Sequence, residues 1–135
     1  MIKFYPIPLA AKKWSEYGLD EAEINRLIAA GEIDTHLVEL DDEEMTVIAD
    51  TEIRNIAAER IDRAQFAHLE GVEISSSDAA KKYNFYPASL LRWAALNYIK
   101  ILNRQGKTVY LNEADVAFAR KKADVKELKS GQSLF

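Results

Sequence analysis

SSSDAAKKYNFYPASLLRWAALNYIKILNRQGKTVYLNEADV, Ser75–Val116, reads as a short helix, a tight turn, a second helix opening on Pro87, a basic hairpin around Gly106 and a third helix starting near Asn112. Ser76 or Ser77 suits the cap of the first helix, because a side-chain oxygen there accepts an N–H that the first turn leaves unpaired. Ala79, Ala80 and Tyr83 then share one face. The segment Tyr83–Pro87 is too short and too aromatic for a solvated linker, so it predicts a packed turn. Pro87 fits the first helical position, where its missing N–H costs nothing. From there Leu90, Trp93, Ala94 and Asn97 recur at spacings of three and four. That rhythm buries one stripe of a helix over 87–98 and leaves Ser89, Leu91 and Arg92 toward the other side. Two short helices joined in this way make a helix-turn-helix, whose second helix fits a DNA major groove.

The run Ser76-Ser77-Asp78-Ala79-Ala80, followed by Tyr86-Pro87-Ala88-Ser89-Leu90-Leu91-Arg92-Trp93, resembles the excisionase and MerR group of winged-helix DNA-binding domains. Asn103–Thr108 matches the glycine-containing hairpin that serves that group as a wing, and Asp115-Val116 matches the acidic residue before valine that opens its next helix. The resemblance covers about half the chain. It implies a winged helix with Ser77, Ser89 and Arg92 near DNA backbone or bases, and with Arg104 and Lys107 on the wing. Tyr86 stands at the helix cap where the group often has serine. One departure is Leu96-Asn97-Tyr98, where the group has an acidic residue and a glycine.

At 135 residues the chain makes one ordinary domain or two very small ones. It has no long apolar run, which excludes a transmembrane span, and its N-terminus lacks the layout of a secretory signal. The absence of cysteine removes disulfides and thiolate metal sites. These features fit a cytoplasmic protein, and the resemblance to DNA-binding domains implies one that is nucleoid-associated. The net charge of −4 conceals an asymmetry. Residues 72–135 carry eleven Lys and Arg against six Asp and Glu, a net of +5, whereas residues 1–71 carry seven against sixteen, a net of −9. Two domains with different partners follow from that division, an acidic one over 1–71 and a basic one over 72–135.

The first half repeats the second in outline. Ala10-Ala11-Lys12-Lys13-Trp14 parallels Ala79-Ala80-Lys81-Lys82-Tyr83, and Ile24–Ala30 parallels Leu90–Leu96. Thr46-Val47-Ile48 and Glu52-Ile53 then align with Val109-Tyr110-Leu111 and Asp115-Val116. Three blocks in one order, with length changes only at turns, predict an internal duplication. The expected architecture is mainly α with small β-hairpin wings, an α+β chain of two tandem winged helix-turn-helix domains. The first copy keeps Gly31 at its helix exit, but its hairpin carries Glu39, Asp41, Asp42, Glu43 and Glu44 where the second carries Arg104 and Lys107. Phosphates repel such a wing, so the first copy is expected to bind a protein partner or itself.

Elsewhere, Met1–Pro8 reads as an extended arm, since Pro6 and Pro8 oppose a helix and confine a strand to an edge. Asp50–Leu69 reads as one helix ended by Gly71 in a left-handed cap, and Val72–Ile74 as a short strand. In the last helix, Asn112 to about Leu128, Val116, Ala119 and Ala123 point inward, and Arg120, Lys121, Lys122, Lys126 and Lys129 outward. Trp14, Tyr83, Phe85 and Trp93 sit at core spacing. His36 and His68 have no partner at metal-ligand spacing, and no nucleophile, paired-carboxylate or phosphate-loop pattern stands out. The expectation is therefore a protein without catalytic residues, metal or cofactor that binds double-stranded DNA in a sequence-specific way through Ser77, Tyr86, Ser89, Arg92, Lys100, Arg104 and Lys107. The resemblance implies an excisionase-like architectural factor or a transcriptional regulator. Competing expectations are a winged-helix protein-interaction module that does not touch DNA, and a DNA-binding subunit of a phage packaging machine resembling a terminase small subunit. The C-terminal Gln132-Ser133-Leu134-Phe135 faintly resembles tails that dock on sliding clamps, although its spacing is one residue short.

Overall fold

Residues 2–128 and 134–135 are described by a computed structural model, in which the chain divides into two compact units, Met1–Ile61 and Asp62–Phe135. The first runs β1 (Phe4–Pro6), α1 (Ile7–Trp14), α2 (Glu21–Ala29), β2 (Thr35–Leu40), β3 (Glu43–Ala49) and α3 (Asp50–Glu59). The second runs β4 (Glu73–Ser75), α4 (Ser76–Tyr83), α5 (Pro87–Ala95), β5 (Ile101–Gln105), β6 (Thr108–Asn112) and α6 (Glu113–Val125), after a 3-10 segment Arg63–Leu69. Each unit holds a three-stranded antiparallel sheet, ordered β1-β3-β2 in one and β4-β6-β5 in the other. The chain is thus α+β.

The two units share more than element order. A shift of 69 residues carries Ile7–Trp14 onto Ser76–Tyr83, 66 carries Glu21–Ala29 onto Pro87–Ala95, and 63 carries Asp50 onto Glu113. Strand register follows the same shifts, with Phe4 opposite Ala49 and Glu73 opposite Asn112. The buried positions repeat as well: Ala10 and Ala79, Ile24 and Leu90, Ile33 and Ile99, Ile48 and Leu111, and Ile53 and Val116 all lie in the cores. Fully burying one such aliphatic side chain is worth about 2 kcal/mol, so each small core rests on a handful of these positions.

Polar ties repeat at the same places. The buried Asp50 carboxylate accepts from Lys13 Nζ at 3.2 and 3.3 Å and from Trp14 Nε1 at 3.3 Å. Glu113, also buried, accepts from Lys82 Nζ and from the Tyr83 hydroxyl. In each unit the last two residues of one helix therefore hold the first residue of another. A second tie joins hairpin to helix: Asp34 N–H donates to Glu52 Oε2 at 3.1 Å, and Lys100 N–H to Asp115 Oδ2 at 2.8 Å. The helix exits also match. Gly31 has φ +78° and Asn97 has φ +66°, and the amides of Glu32 and Tyr98 each donate to a carbonyl five residues back. Asparagine tolerates the left-handed region, so Leu96-Asn97-Tyr98 makes the turn that a glycine makes in the first unit.

Several expectations need correction. Pro8 does not exclude a helix: α1 starts at Ile7, and Pro8 lies in its first turn, where an amide has no helical partner. The segment 50–69 is not one helix. It stops at Glu59, and Asp62 turns extended and uses its carboxylate to cap Ala64 N–H at 2.9 Å, starting the 3-10 segment instead. Residues 62–71 accordingly belong with the second unit, tied to α6 by Phe66 edge-on to Phe118 and by Arg63 bonded to Asp115 and lying over Phe118. The helix opened by Pro87 closes at Ala95, three residues before the expected end, because Asn97 leaves helical geometry.

Burial pushes the Glu113 carboxyl up, but the hydrogen bonds from Lys82 and Tyr83 and the charges of Lys82 and His68 outweigh it, leaving the group below its ordinary 4.5. Its ionised form then stabilises the fold above pH 4.5, and that contribution fades as pH falls through the lowered value. Glu113→Gln should lower the stability of the second unit by roughly 1–2 kcal/mol at pH 7. The gap to wild type should close below pH 4.5, as read from exchange protection of the Leu90, Leu111 and Val116 amides across pH. At the helix exit, Asn97→Gly should leave urea stability unchanged or raise it, whereas Asn97→Val should cost roughly 1–2 kcal/mol.

Candidate nucleic-acid interface

The α4–turn–α5 element is held at three points. Ser75, the last extended residue before α4, caps that helix by accepting Asp78 N–H at 3.2 Å. Ser75 takes the role expected of Ser76 or Ser77 because β4 pairs as far as Ser75 with Tyr110, and only a residue still in extended geometry can cap. Asn84, at φ +55°, ends α4, and the amide of Phe85 donates to Ala80 O at 3.0 Å. Phe85 then packs edge-on to the buried Trp93 at 5.1 Å. Arg120 of α6 closes the turn from outside. Its guanidinium donates to the carbonyls of Tyr83 and Asn84 at 3.2 Å each, lies over the Phe85 ring and pairs with Asp124. The reading of Arg120-Lys121-Lys122 as an outward basic run is therefore corrected for Arg120, and Lys122 lies over the Phe135 ring at 4.7 Å.

Three of the candidate contact residues share α5 or its cap. Leu90, Trp93 and Ala94 face the core, which turns Ala88, Leu91, Arg92 and Ala95 to solvent. Ala88 and Ala95 lie at the centre of that outer face, Arg92 stands on the side of it toward the half-buried Ser89, and Tyr86 is exposed at the cap. Arg104 on β5 and Lys107 at the hairpin turn are both exposed and flank Gly106, whose φ of +60° allows the tight reversal. Lys100 is exposed just before β5 and is fixed through its amide by Asp115. Ser77 stands apart on α4, exposed, with Lys81 one turn further along the same face. Sequence reading left out Lys81, although its place beside Ser77 at a spacing of four was visible.

The charges divide by unit. Among the described residues Lys81, Arg92, Lys100, Arg104 and Lys107 belong to no ion pair, whereas Lys82, Arg63 and Arg120 of the same unit do. In the first unit, exposed Glu39, Asp41, Asp42 and Glu43 occupy the hairpin around its turn. The starts of α2 and α5 also differ. Asp20 caps α2 by accepting Glu23 N–H at 2.8 Å, and Glu21 and Glu23 follow in its first turn. By contrast, α5 has no side-chain cap bond and no acidic residue in its first turn. Its outer face is not uniformly polar, since Tyr86, Leu91, Leu96 and Tyr98 are all exposed.

Trp14 and Trp93 are buried, and Tyr83 and Phe85 pack against the second core, as their spacing predicted. His36 sits edge-on to Phe4 at 5.1 Å. At the C-terminus Leu134 is buried in the second core and Phe135 stacks on Tyr98 at 4.5 Å. Lys129, Gln132 and Ser133 lie outside the described residues. Among those described, no helix is long and apolar enough to cross a membrane, and no three metal-ligating side chains converge. No protein-family model, curated protein or solved structure matches the chain.

Arg120→Ala should destabilise the second unit by roughly 1–2 kcal/mol, because it strips two turn carbonyls of their donor. Arg120→Lys should restore little of that loss, since an ammonium lacks the planar fork that reaches both carbonyls. Chemical unfolding of the three proteins at pH 7 checks the order.

Proposed function

We propose that residues 62–135 form a winged helix-turn-helix that binds double-stranded DNA, and that residues 1–61 are a second copy of the same fold turned to a protein partner. In this reading α5 enters the major groove and the β5–β6 hairpin lies against adjacent backbone. Arg92 reaches base edges or phosphate from the outer face of α5. Ser77, Lys81, Lys100, Arg104 and Lys107 contribute phosphate contacts, and Ser89 and Tyr86 flank the helix start. The observation that carries the reading is the set of exposed cations on one helix–hairpin unit that form no ion pair among the described residues, set against the carboxylates that occupy the matching hairpin of the other. The first turn of α5 is compatible with it, because no carboxylate stands there to repel phosphate. The coincident registers of the two units support tandem duplication. Such a protein acts by occupying and shaping its site and by recruiting a partner, as an architectural factor or a transcriptional regulator does.

A second reading is favoured by one observation. Leu91 and Leu96, at 42% and 58% exposure, lie with Tyr86 and Tyr98 about the same helix. Side chains of that kind suit a protein surface better than a phosphate backbone, so α5 would dock on another protein in this alternative.

Mobility shift of a random-sequence duplex separates the two. If about four cations neutralise phosphates, log affinity should fall against log salt with a slope of roughly −3 to −4. Arg104→Ala/Lys107→Ala should reduce the magnitude of that slope by about two, and Arg92→Ala by about one. Binding that ignores both changes, or no binding at low salt, favours the protein-docking reading.

A further inference from the structure

Strand β2 is an edge of the first sheet, and of the usual protections of an edge it has only negative charge, in Glu39 and the acidic turn that follows. It pairs with β3 over six consecutive residues, Thr35 opposite Ile48 through Leu40 opposite Glu43, without a register shift. It contains no proline, lysine or arginine. All six residues are exposed, Leu37 at 70% and Leu40 at 60%. The other edges are protected: β1 and β4 are each three residues long, β1 ending in Pro6, and β5 carries a register irregularity between Ile101 and Asn103. The turn Asp41-Asp42 has positive φ at both residues, the geometry of a two-residue hairpin. Leu40 and Glu43 therefore exchange hydrogen bonds, and the alternation of the ladder turns the amides of Glu39, Leu37 and Thr35 outward.

We propose that β2 docks an extended, lysine- and arginine-rich segment of a partner protein, which adds to the sheet as a fourth strand. This deepens the reading of the first unit as protein-facing. Charge selects the occupant. Glu39, Asp41, Asp42, Glu43 and Glu44 lie at one end of the edge, and none is in an ion pair among the described residues. In an antiparallel pairing of two copies the acidic turn of each would lie beside the exposed Glu32 and Asp34 of the other, so like charge opposes self-pairing. The exposed cations of the second unit are assigned to phosphate in the reading above, so the matching cations come from another chain. Main-chain bonds to the outward amides give affinity, the leucines supply apolar contact, and the carboxylates set polarity.

The probe is a fluorescein-labelled eight-residue peptide alternating lysine or arginine with valine, titrated into the full chain and followed by anisotropy at low salt. Saturable one-to-one binding is expected, with no binding of the same peptide carrying glutamate in place of the cations. Methylating alternate peptide nitrogens on the bonding edge should weaken binding at least tenfold, as should Asp41→Lys/Glu43→Lys. Leu37→Pro, which removes one outward amide, should weaken it more than Leu37→Ala; far-UV circular dichroism checks that these variants fold. Equal affinity of the methylated peptide, or no binding of the cationic peptide, overturns the proposal. Self-association of the chain that Leu37→Pro abolishes also overturns it, by giving the edge to a second copy. Mobility shift of the same variants separates the two readings: Leu37→Pro should bind duplex like wild type, and Arg92→Ala should bind peptide like wild type.

Discussion

A buried carboxylate at the first residue of a helix, held by a lysine and an aromatic donor from another helix, is the contact on which each unit depends. Burying a carboxylate is costly unless it is paired and hydrogen-bonded. Asp50 meets that requirement through Lys13 and Trp14, and Glu113 through Lys82 and Tyr83. The carboxylates also sit where the partial positive charge of a helix start favours them. Because the lysine and aromatic end α1 or α4, while the carboxylate follows the last strand of the sheet, one contact sets where the first helix lies against strand and third helix together. The helix between them and the hairpin are then positioned by chain length and by the carboxylates of Glu52 and Asp115 on the hairpin's first amide. Burial and the bond to Glu113, together with its charge, push the Tyr83 phenol well above its usual range, so it remains a donor.

Much of this was legible because the sequence says it twice. The shared Ala-Ala-Lys-Lys-aromatic block marked the first helices, and the shared acidic residue before Ile53 or Val116 marked the third. Pro87 announced the start of α5 through a missing amide. What escaped reading had competing local solutions. Pro8 opposes a helix interior but not a first turn, and the difference is a single position. Asp62 lies within a helical rhythm, yet its carboxylate offers the backbone a capping bond that ends the helix. Ser75, Ser76 and Ser77 are chemically interchangeable as caps, and only the strand pairing of Ser75 decides among them.

The candidate interface divides in the same way. Exposure of Arg92, Arg104 and Lys107 followed from helical phase and from a glycine turn, both local properties. The role of Arg120 did not, since nothing in a run of three cations says which one will find two carbonyls 36 or 37 residues away. Composition could be divided by halves, and that division foretold the contrast between the two hairpins. It did not reveal that the acidic hairpin is also the one with a long, regular outer strand, because edge status comes from topology alone.

Tandem copies of one fold carry a hazard that single domains escape: during folding, a helix of one copy can settle into the groove meant for its twin. The two carboxylate contacts differ in reach, a short aspartate meeting a broad indole and a longer glutamate meeting a phenol. A misplaced α4 would present its hydroxyl to a carboxylate one methylene too short, and a misplaced α1 would crowd an indole against one methylene too long. Asp50 with Trp14 and Glu113 with Tyr83 thus trade reach between carboxylate and aromatic donor, so each first helix fits the carboxylate of its own unit.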